Sequence, residues 1–203
     1  MIDNEPIDNE LIIAKCEEFA RKMAPKDLHH GIEHVLRVRN YAMRLAKSMS
    51  IDGVDLMILE VSALLHDVGR GHELPGEYHT HVGSGLARTF LRGLGVPEGK
   101  IDAIAHCIET HSRKKAHRKK PESIEAKILY DADGLDMIGA VGILRIALSA
   151  AVKNKGWDHI KEKAKWRLTI VDDFMTPQAV KIANQRSRLV TAFVDQLYKE
   201  LGD

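Results

Sequence analysis

His66 and Asp67 stand side by side at the end of an apolar segment, Val54 to Val68, and Gly69 follows them. The hydrophobic residues of this segment lie nearly all round a helix, which predicts a buried helix. Charge in such a place is costly unless it is paired or binds a metal, and imidazole and carboxylate are both metal ligands. The pair therefore indicates a candidate metal site. The alternative is a capping histidine beside an ordinary surface aspartate, which any isolated dipeptide allows.

His34 and Asp133 are ligand-type residues on the inward faces of two other predicted helices. His34 borders the apolar stripe of its helix, and Asp133 continues the apolar line of Ala126 and Leu129. Each has a structural alternative, His34 as a satisfied core histidine and Asp133 as a residue bonded to a neighbouring turn. One ion would satisfy all four side chains, because two imidazoles and two carboxylates suit Mn²⁺, Fe²⁺, Co²⁺, Ni²⁺ or Zn²⁺. A set without thiolates and with open positions favours a hydrolytic metal over a structural zinc.

Four more side chains are candidates for the same site. His111 ends an apolar helix line, and His81 opens a helix in which Gly85 leaves room one turn above it. Arg70 follows the His-Asp pair on a loop, where it could donate to a phosphate or be a surface arginine. Asp136 lies about one turn beyond Asp133, where it could hold a ligand histidine or cap a local turn. His106, by contrast, shares a polar helix face.

Length and composition predict one soluble domain. The chain has 203 residues, 44% of them hydrophobic, which suffices for a full core. Thirty Lys and Arg against 29 acids argue against strong steering toward nucleic acid, and 5% aromatics offer few stacking platforms. Cys16 and Cys107 form no disulfide framework. Without a signal-peptide run or a membrane-spanning stretch, we expect a cytoplasmic protein with no membrane partner.

Helical periodicity recurs along the chain, with no strand-type alternation and no internal repeat, so the predicted fold class is all-α. Asp131, four residues after Lys127, is interpreted as one half of an exposed ion pair. A basic run, Arg113 to Lys120, separates two of the helices. The predicted helices run from Asp8 or Asn9 to about Met23, Ile32 to Met49, Val54 to Val68, His81 to Leu94, Glu98 to Ser112, Pro121 to about Asp136, about Gly142 to Lys153, Trp157 to Asp173, and from Thr176 and Pro177 to the end.

The order His34, His66-Asp67, Asp133 resembles the ligand pattern of the HD-domain metal-dependent phosphohydrolase superfamily. The segment Leu65 to Arg70 resembles that family's second motif block. Cys107 to Ser112 and Ala126 to Asp136 are similar to blocks of small, stand-alone bacterial and archaeal HD hydrolases. The resemblance covers about residues 28–148. It implies a single helical HD domain over 1–203, with a motif core at 28–148 and helical extensions at 1–27 and 149–203.

The resemblance implies that His34, His66, Asp67 and Asp133 bind a divalent metal, with manganese among the candidates and Mg²⁺ a further one. His81 and His111 match positions that in some relatives bind a second metal or contact the substrate phosphate, and this choice stays open. The implied activity is hydrolysis of a phosphate ester or anhydride, in a nucleotide or similar small phosphate, by metal-activated water, with Asp67, His81, His111 and Arg70 as the catalytic candidates.

Two other functions remain open at this point. Some HD proteins are di-iron oxygenases, which would require His81 and His111 as ligands. A non-catalytic nucleotide-binding sensor module is the other alternative, although an intact ligand set disfavours it. A nucleic-acid partner would depend on the basic run alone, and a homodimer is compatible with the sequence.

Overall fold

The computed structural model describes residues 8–49, 53–113 and 119–202, and it confirms the all-α fold class. No strand occurs within these described ranges. A short 3₁₀ turn, Ile170–Asp173, precedes the last helix. The helices are α1 (Asn9–Met23), α2 (Ile32–Met49), α3 (Leu56–Leu65), α4 (His79–Gly93), α5 (Glu98–Thr110), α6 (Ile124–Asp136), α7 (Ala140–Val152), α8 (Trp157–Thr169) and α9 (Pro177–Leu201).

The chain divides into two compact units, Met1–Tyr130 and Asp131–Asp203, and the boundary falls inside α6. The expectation of a single domain over 1–203 stays a prediction. In the part of the chain that is described, no single helix is long and apolar enough to cross a membrane, although α6 and α7, bent by 71°, meet that criterion as a pair.

The first unit is built around α3, which is buried on nearly every side as its apolar sequence predicts. Asp55 is the N-cap residue of this helix, and its side chain accepts a hydrogen bond from Ile58 N at 3.1 Å. Its own backbone N donates to Glu125 Oε1 at 3.0 Å. The core of this unit joins Val61, Leu64 and Leu65 of α3 to buried residues of α1, α2, α4 and α5, which include Ile12, Cys16, Val35, Leu91, Ile101, Ile104 and Ile108.

Helix α3 ends at Leu65, three residues before the predicted end at Val68. The chain then tightens into turns, with hydrogen bonds from Val68 N to Leu65 O at 3.3 Å and from Arg70 N to Asp67 O at 2.9 Å. These bonds span three residues instead of four, as at many helix ends. His66 and Asp67 consequently lie in the turn that follows the buried helix.

In the second unit, α7 to α9 supply donors for the last carbonyls of α6, which no intrahelical donor can reach. Arg186 Nη1 donates to Leu135 O at 2.7 Å, and Arg167 Nη1 donates at 2.8 Å to the carbonyl oxygen of Met137, the residue that follows α6. Arg145 pairs with the buried side chain of Asp136 at 2.8 Å. The C-terminal helices thus stabilise the end of α6.

Asp131 corrects the sequence interpretation, because it is fully buried and not part of an exposed ion pair. Its carboxylate accepts hydrogen bonds from Met175 N at 3.0 Å, from Thr176 N at 2.7 Å and from the Thr176 hydroxyl at 2.7 Å. These donors stand just before α9, so a distant segment of the chain satisfies Asp131.

Candidate metal centre

Asp67 lies among four imidazoles in the first unit, contributed by the turn after α3 and by α2, α4 and the end of α5. His34 Nε2 and His66 Nε2 lie 3.5 and 3.7 Å from its Oδ2. His111 Nε2 and His79 Nε2 lie 3.5 and 3.6 Å from its Oδ1. All five side chains are buried. Each carboxylate oxygen therefore faces two imidazole nitrogens.

His66 and His111 are held by the same type of local hydrogen bond, and each is the C-cap residue of its helix. His66 Nδ1 lies 2.8 Å from Ala63 O, and His111 Nδ1 lies 2.7 Å from Ile108 O. A carbonyl oxygen only accepts, so each Nδ1 carries a proton and donates it. In the neutral rings Nε2 therefore presents a lone pair toward Asp67, which is the tautomer a metal ligand needs.

His34 reaches the same point from the first turn of α2. Its Nε2 lies 3.3 Å from His66 Nε2, and the two rings meet edge to face with centroids 5.2 Å apart. Because His66 Nε2 carries a lone pair in the neutral ring, a proton on His34 or a cation shared by both rings must separate the two nitrogens. A divalent ion meets this requirement.

Asp67 Oδ1 is buried and has no hydrogen-bond partner among the residues that the structure describes. An orphaned carboxylate oxygen is costly inside a protein unless a cation satisfies it. His66, Asp67 and His111 each offer a ligand atom, and these atoms lie within 4.8 Å of one another. The donor set, nitrogen and oxygen without sulfur, suits a divalent transition metal. The residues present thus fit a metal ion.

Arg70 donates to the other oxygen of this carboxylate, with Nε 2.5 Å from Asp67 Oδ2. Its Nη2 lies 3.2 Å from His79 Nε2. Burial alone would raise the pKa of Asp67, but the Arg70 guanidinium and the His66 imidazole hold that pKa well below its usual value. Asp67 is therefore a carboxylate at neutral pH, ready to bind a cation.

The structure places His81 outside this group of buried side chains. This residue is exposed, whereas His79 is 3% exposed and its ring centroid lies 5.3 Å from that of His111. Helix α4 begins at His79, two residues before the predicted start, so the face that turns inward is different. The available signal was Gly83, which leaves room one turn above His79 as Gly85 was expected to do above His81.

The remaining sequence candidates lie as follows. Asp133 and Asp136 are buried residues of the second unit, where Asp136 pairs with Arg145. The support of a ligand histidine by Asp136 stays a prediction. His106 is half-buried, and its Nε2 accepts a hydrogen bond from Glu122 N at 3.2 Å.

Two residues of the basic run, Arg113 and Lys119, have structural partners. Arg113 is buried, donates to Tyr130 O at 2.7 Å and lies with its guanidinium carbon 3.8 Å from the centroid of the Tyr130 ring. Lys119 pairs with Glu109, which also accepts from the Ser84 hydroxyl at 3.0 Å. The interior of the run, 114–118, lies outside the described residues.

A family model of the HD domain matches residues 31–138, which is more than half of the chain. The chain belongs to the HD-domain family. Within this HD-domain protein, the matched range holds His34, His66, Asp67, His79 and His111 together with Asp133.

Three relatives of this HD-domain chain illustrate the family. The uncharacterised protein YpgQ of Bacillus subtilis (strain 168) is 31% identical over 182 residues, which cover 85% of this chain and 84% of YpgQ. A crystal structure of Bacillus subtilis YpgQ in complex with ADP shares the fold, with a TM-score of 0.75 and 24% identity over 93% of this chain and 97% of that one.

A crystal structure of a HD-superfamily hydrolase from Bacillus thuringiensis has a TM-score of 0.70 and 27% identity, over 96% of this chain and 99% of that one. Ribonuclease Y of Thermobifida fusca (strain YX) is 28% identical over 124 residues. That match covers 60% of this chain but only 21% of ribonuclease Y. Taken together, these relatives show that the chain has the fold of HD-superfamily hydrolases.

Proposed function

We propose that this protein is a metal-dependent phosphohydrolase that cleaves a phosphate ester or anhydride of a nucleotide or similar small phosphate. The observation that carries the proposal is the buried carboxylate of Asp67. Its Oδ1 faces the Nε2 atoms of His79 and His111 and has no hydrogen-bond partner in the described part of the chain. A buried charge of this kind is costly unless a cation compensates it, so the centre is suitable as a cation site. Family membership supports hydrolysis as the reaction class.

In the proposed centre, His34, His66 and Asp67 bind one divalent transition-metal ion, or Mg²⁺, and Asp133 is the fourth ligand. Asp133 lies on α6, three residues beyond Tyr130 on the same continuous helix. Its assignment is supported by the resemblance of the segment Ala126 to Asp136 to the family's motif. The fixed Nδ1–H of His66 supports ligation through Nε2.

The chain's own residues then bind and orient the phosphate. A divalent ion, when bound, supplies a Lewis acid that polarises a phosphoryl oxygen and lowers the pKa of a water molecule. Arg70 offers guanidinium donors beside Asp67 and His79, which suit two phosphoryl oxygens. His79 and His111 face the same oxygen of Asp67, and we propose that they support this metal ligand and contact the phosphate through Nε2.

A nucleotide is the proposed substrate class because YpgQ, a relative of nearly the same length, has been crystallised in complex with ADP. A nucleoside diphosphate carries both an ester and an anhydride bond. The centre would contact the phosphates, and the loops beside it would contact the rest of the nucleotide.

The test is a hydrolysis assay of metal-stripped protein, resupplied separately with Mn²⁺, Fe²⁺, Co²⁺, Ni²⁺, Zn²⁺ or Mg²⁺. Its substrates are nucleoside mono-, di- and triphosphates, cyclic nucleotides and sugar phosphates. We expect phosphate or pyrophosphate release from at least one nucleotide with one or two of the metals, and none from the Asp67→Asn variant. Equal release by parent and variant, or no release under any condition, would contradict the proposal.

A di-iron oxygenase is the second candidate, favoured by one observation. The two oxygens of Asp67 face separate imidazole pairs, His34 with His66 and His79 with His111, as a carboxylate that bridges two ions would. Metal analysis after anaerobic purification separates the candidates. About two irons per chain and an absorption change on exposure to air would support the oxygenase, and one ion without such a change supports the hydrolase.

A further inference from the structure

We infer that Gly69 and Gly83 are positioning residues whose backbone contact sets the place of His79 in the candidate centre. This inference rests on the proposed function, because it assigns His79 a role at the metal centre. Gly69 stands two residues after Asp67, and Gly83 stands one helical turn after His79. The two glycines therefore link the turn that carries the carboxylate to the helix that carries the imidazole.

The backbones of the two segments touch at this point. A Cβ atom on Gly69 would lie 2.2 Å from His79 O and 2.5 Å from Gly83 N. In a regular helix these two atoms form the hydrogen bond that spans His79 and Gly83. The α-carbon of Gly69 thus packs directly on the first turn of α4. A Cβ on Gly83 would meet Gly69 N at 3.2 Å and Ile108 Cγ2 at 3.5 Å.

Close approach is the reason for glycine at both positions. Neither residue belongs to the glycines with positive φ, so a side chain at either place would strain no dihedral angle. Both are buried, and the obstacle that a Cβ would meet at Gly69 is backbone, which cannot rotate away as a side-chain end can. An added methyl group at Gly69 must therefore push α4 away from the turn.

That displacement would act on His79 first. Its carbonyl is the atom nearest to the added Cβ, and its Nε2 lies 3.6 Å from Asp67 Oδ1 and 3.2 Å from Arg70 Nη2. His66 and His111 are held by carbonyls of their own helices and would stay in place. We therefore expect the contact between Gly69 and Gly83 to determine the position of the His79 imidazole and to leave those of His66 and His111 unchanged.

The experiment titrates Co²⁺ into metal-stripped full-length protein and records affinity and visible absorption for five proteins besides the parent. These are Gly69→Ala, Gly83→Ala, His79→Ala, the double variant Gly69→Ala/His79→Ala, and Gly85→Ala. Gly85 is the matched control, because it lies on α4 and a Cβ there would meet nothing within 4 Å. Thermal unfolding of each metal-free protein measures purely structural damage.

We expect Gly69→Ala to weaken Co²⁺ binding by about 10- to 100-fold, the loss typical when the support of a metal site is disturbed. Gly83→Ala should lower the Co²⁺ affinity several-fold, and Gly85→Ala should bind Co²⁺ as the parent does. Gly69→Ala should change the absorption spectrum in the direction that His79→Ala does. In the His79→Ala background, Gly69→Ala should lower the Co²⁺ affinity by less than about threefold, because two changes that act through one group are not additive.

Additive losses in the double variant would overturn the inference, as would parent-like Co²⁺ binding by both Gly69→Ala and His79→Ala. If Gly69→Ala does not fold, the same comparison made with Gly83→Ala decides the question. The proposed function fails separately, when the parent binds Co²⁺ yet hydrolyses no phosphate in the panel assay.

Discussion

Arg70 and Asp67 form a 2.5 Å hydrogen bond between Nε and Oδ2, inside a cluster that is proposed to bind a cation. A guanidinium beside a metal ligand competes with the metal for the carboxylate and offers donors to an anionic substrate. Metal affinity and hydrolysis should therefore respond to Arg70 in opposite directions.

Replacing Arg70 with Gln should strengthen metal binding and weaken hydrolysis. Loss of one positive charge next to Asp67 should lower the Kd for Mn²⁺ by roughly tenfold. Loss of a phosphate donor should lower kcat by about 100-fold. Mn²⁺ titration and steady-state kinetics measure the two effects. Arg70→Lys is the control, because it keeps the charge without the planar fork. A rise in the Kd for Mn²⁺ together with a fall in kcat would contradict this prediction and would show that Arg70 supports the metal centre.

His79 and His81 make a matched pair, two residues apart at the start of one helix, the former buried and the latter exposed. His79→Gln should reduce metal affinity by about 10- to 100-fold, and His81→Gln should change it less than about twofold. Metal content after dialysis and kcat/KM measure both variants. Equal losses at the two positions would contradict the placement of His79 in the centre.

Asp136 and Arg145 form a buried ion pair in the second unit, with both side chains at most 5% exposed. Asp136→Ala should lower the free energy of unfolding by about 3–5 kcal/mol, since it leaves a guanidinium buried without its carboxylate. Urea denaturation measures the loss. The double variant Asp136→Leu/Arg145→Met should recover most of it, and an equal or greater loss in the double variant would show that the charge pair is not the source.

The two thiols should be unreactive in the folded protein. Burial raises the pKa of Cys16 to about 12 and that of Cys107 to about 11, so little thiolate exists at pH 8. A chromogenic disulfide reagent should react with both thiols only after denaturation. Cys16→Ala and Cys107→Ala assign the signal to one thiol. Fast reaction of the native protein would mean that the first unit opens readily around α1 or α5.

The sequence predicted the fold class and the inward faces of His34, His66 and His111, because each stands in a long apolar pattern that leaves one orientation. It singled out His81 and not His79, since the face of a residue in the first helical turn depends on where the helix begins. The side chain of Tyr78, the residue before α4, makes no capping hydrogen bond, so the sequence contains little signal for where α4 begins.

Long-range partners were the second source of error. Asp131 looked like the partner of Lys127, its neighbour by helical spacing, but its donors lie at Met175 and Thr176. Helical periodicity indicates which residues turn inward, whereas the partner of a buried charge depends on how separate segments pack. A single sequence does not reveal that packing.

The most direct test is the metal content and activity of Asp67→Asn beside the parent. Asn has nearly the shape of Asp but lacks the negative charge that a metal ligand requires here. Elemental analysis after dialysis against Mn²⁺, together with nucleotide hydrolysis, should show about one ion and activity in the parent, and neither in the variant. A variant that folds, retains the ion and hydrolyses nucleotides at the parent rate would contradict the account.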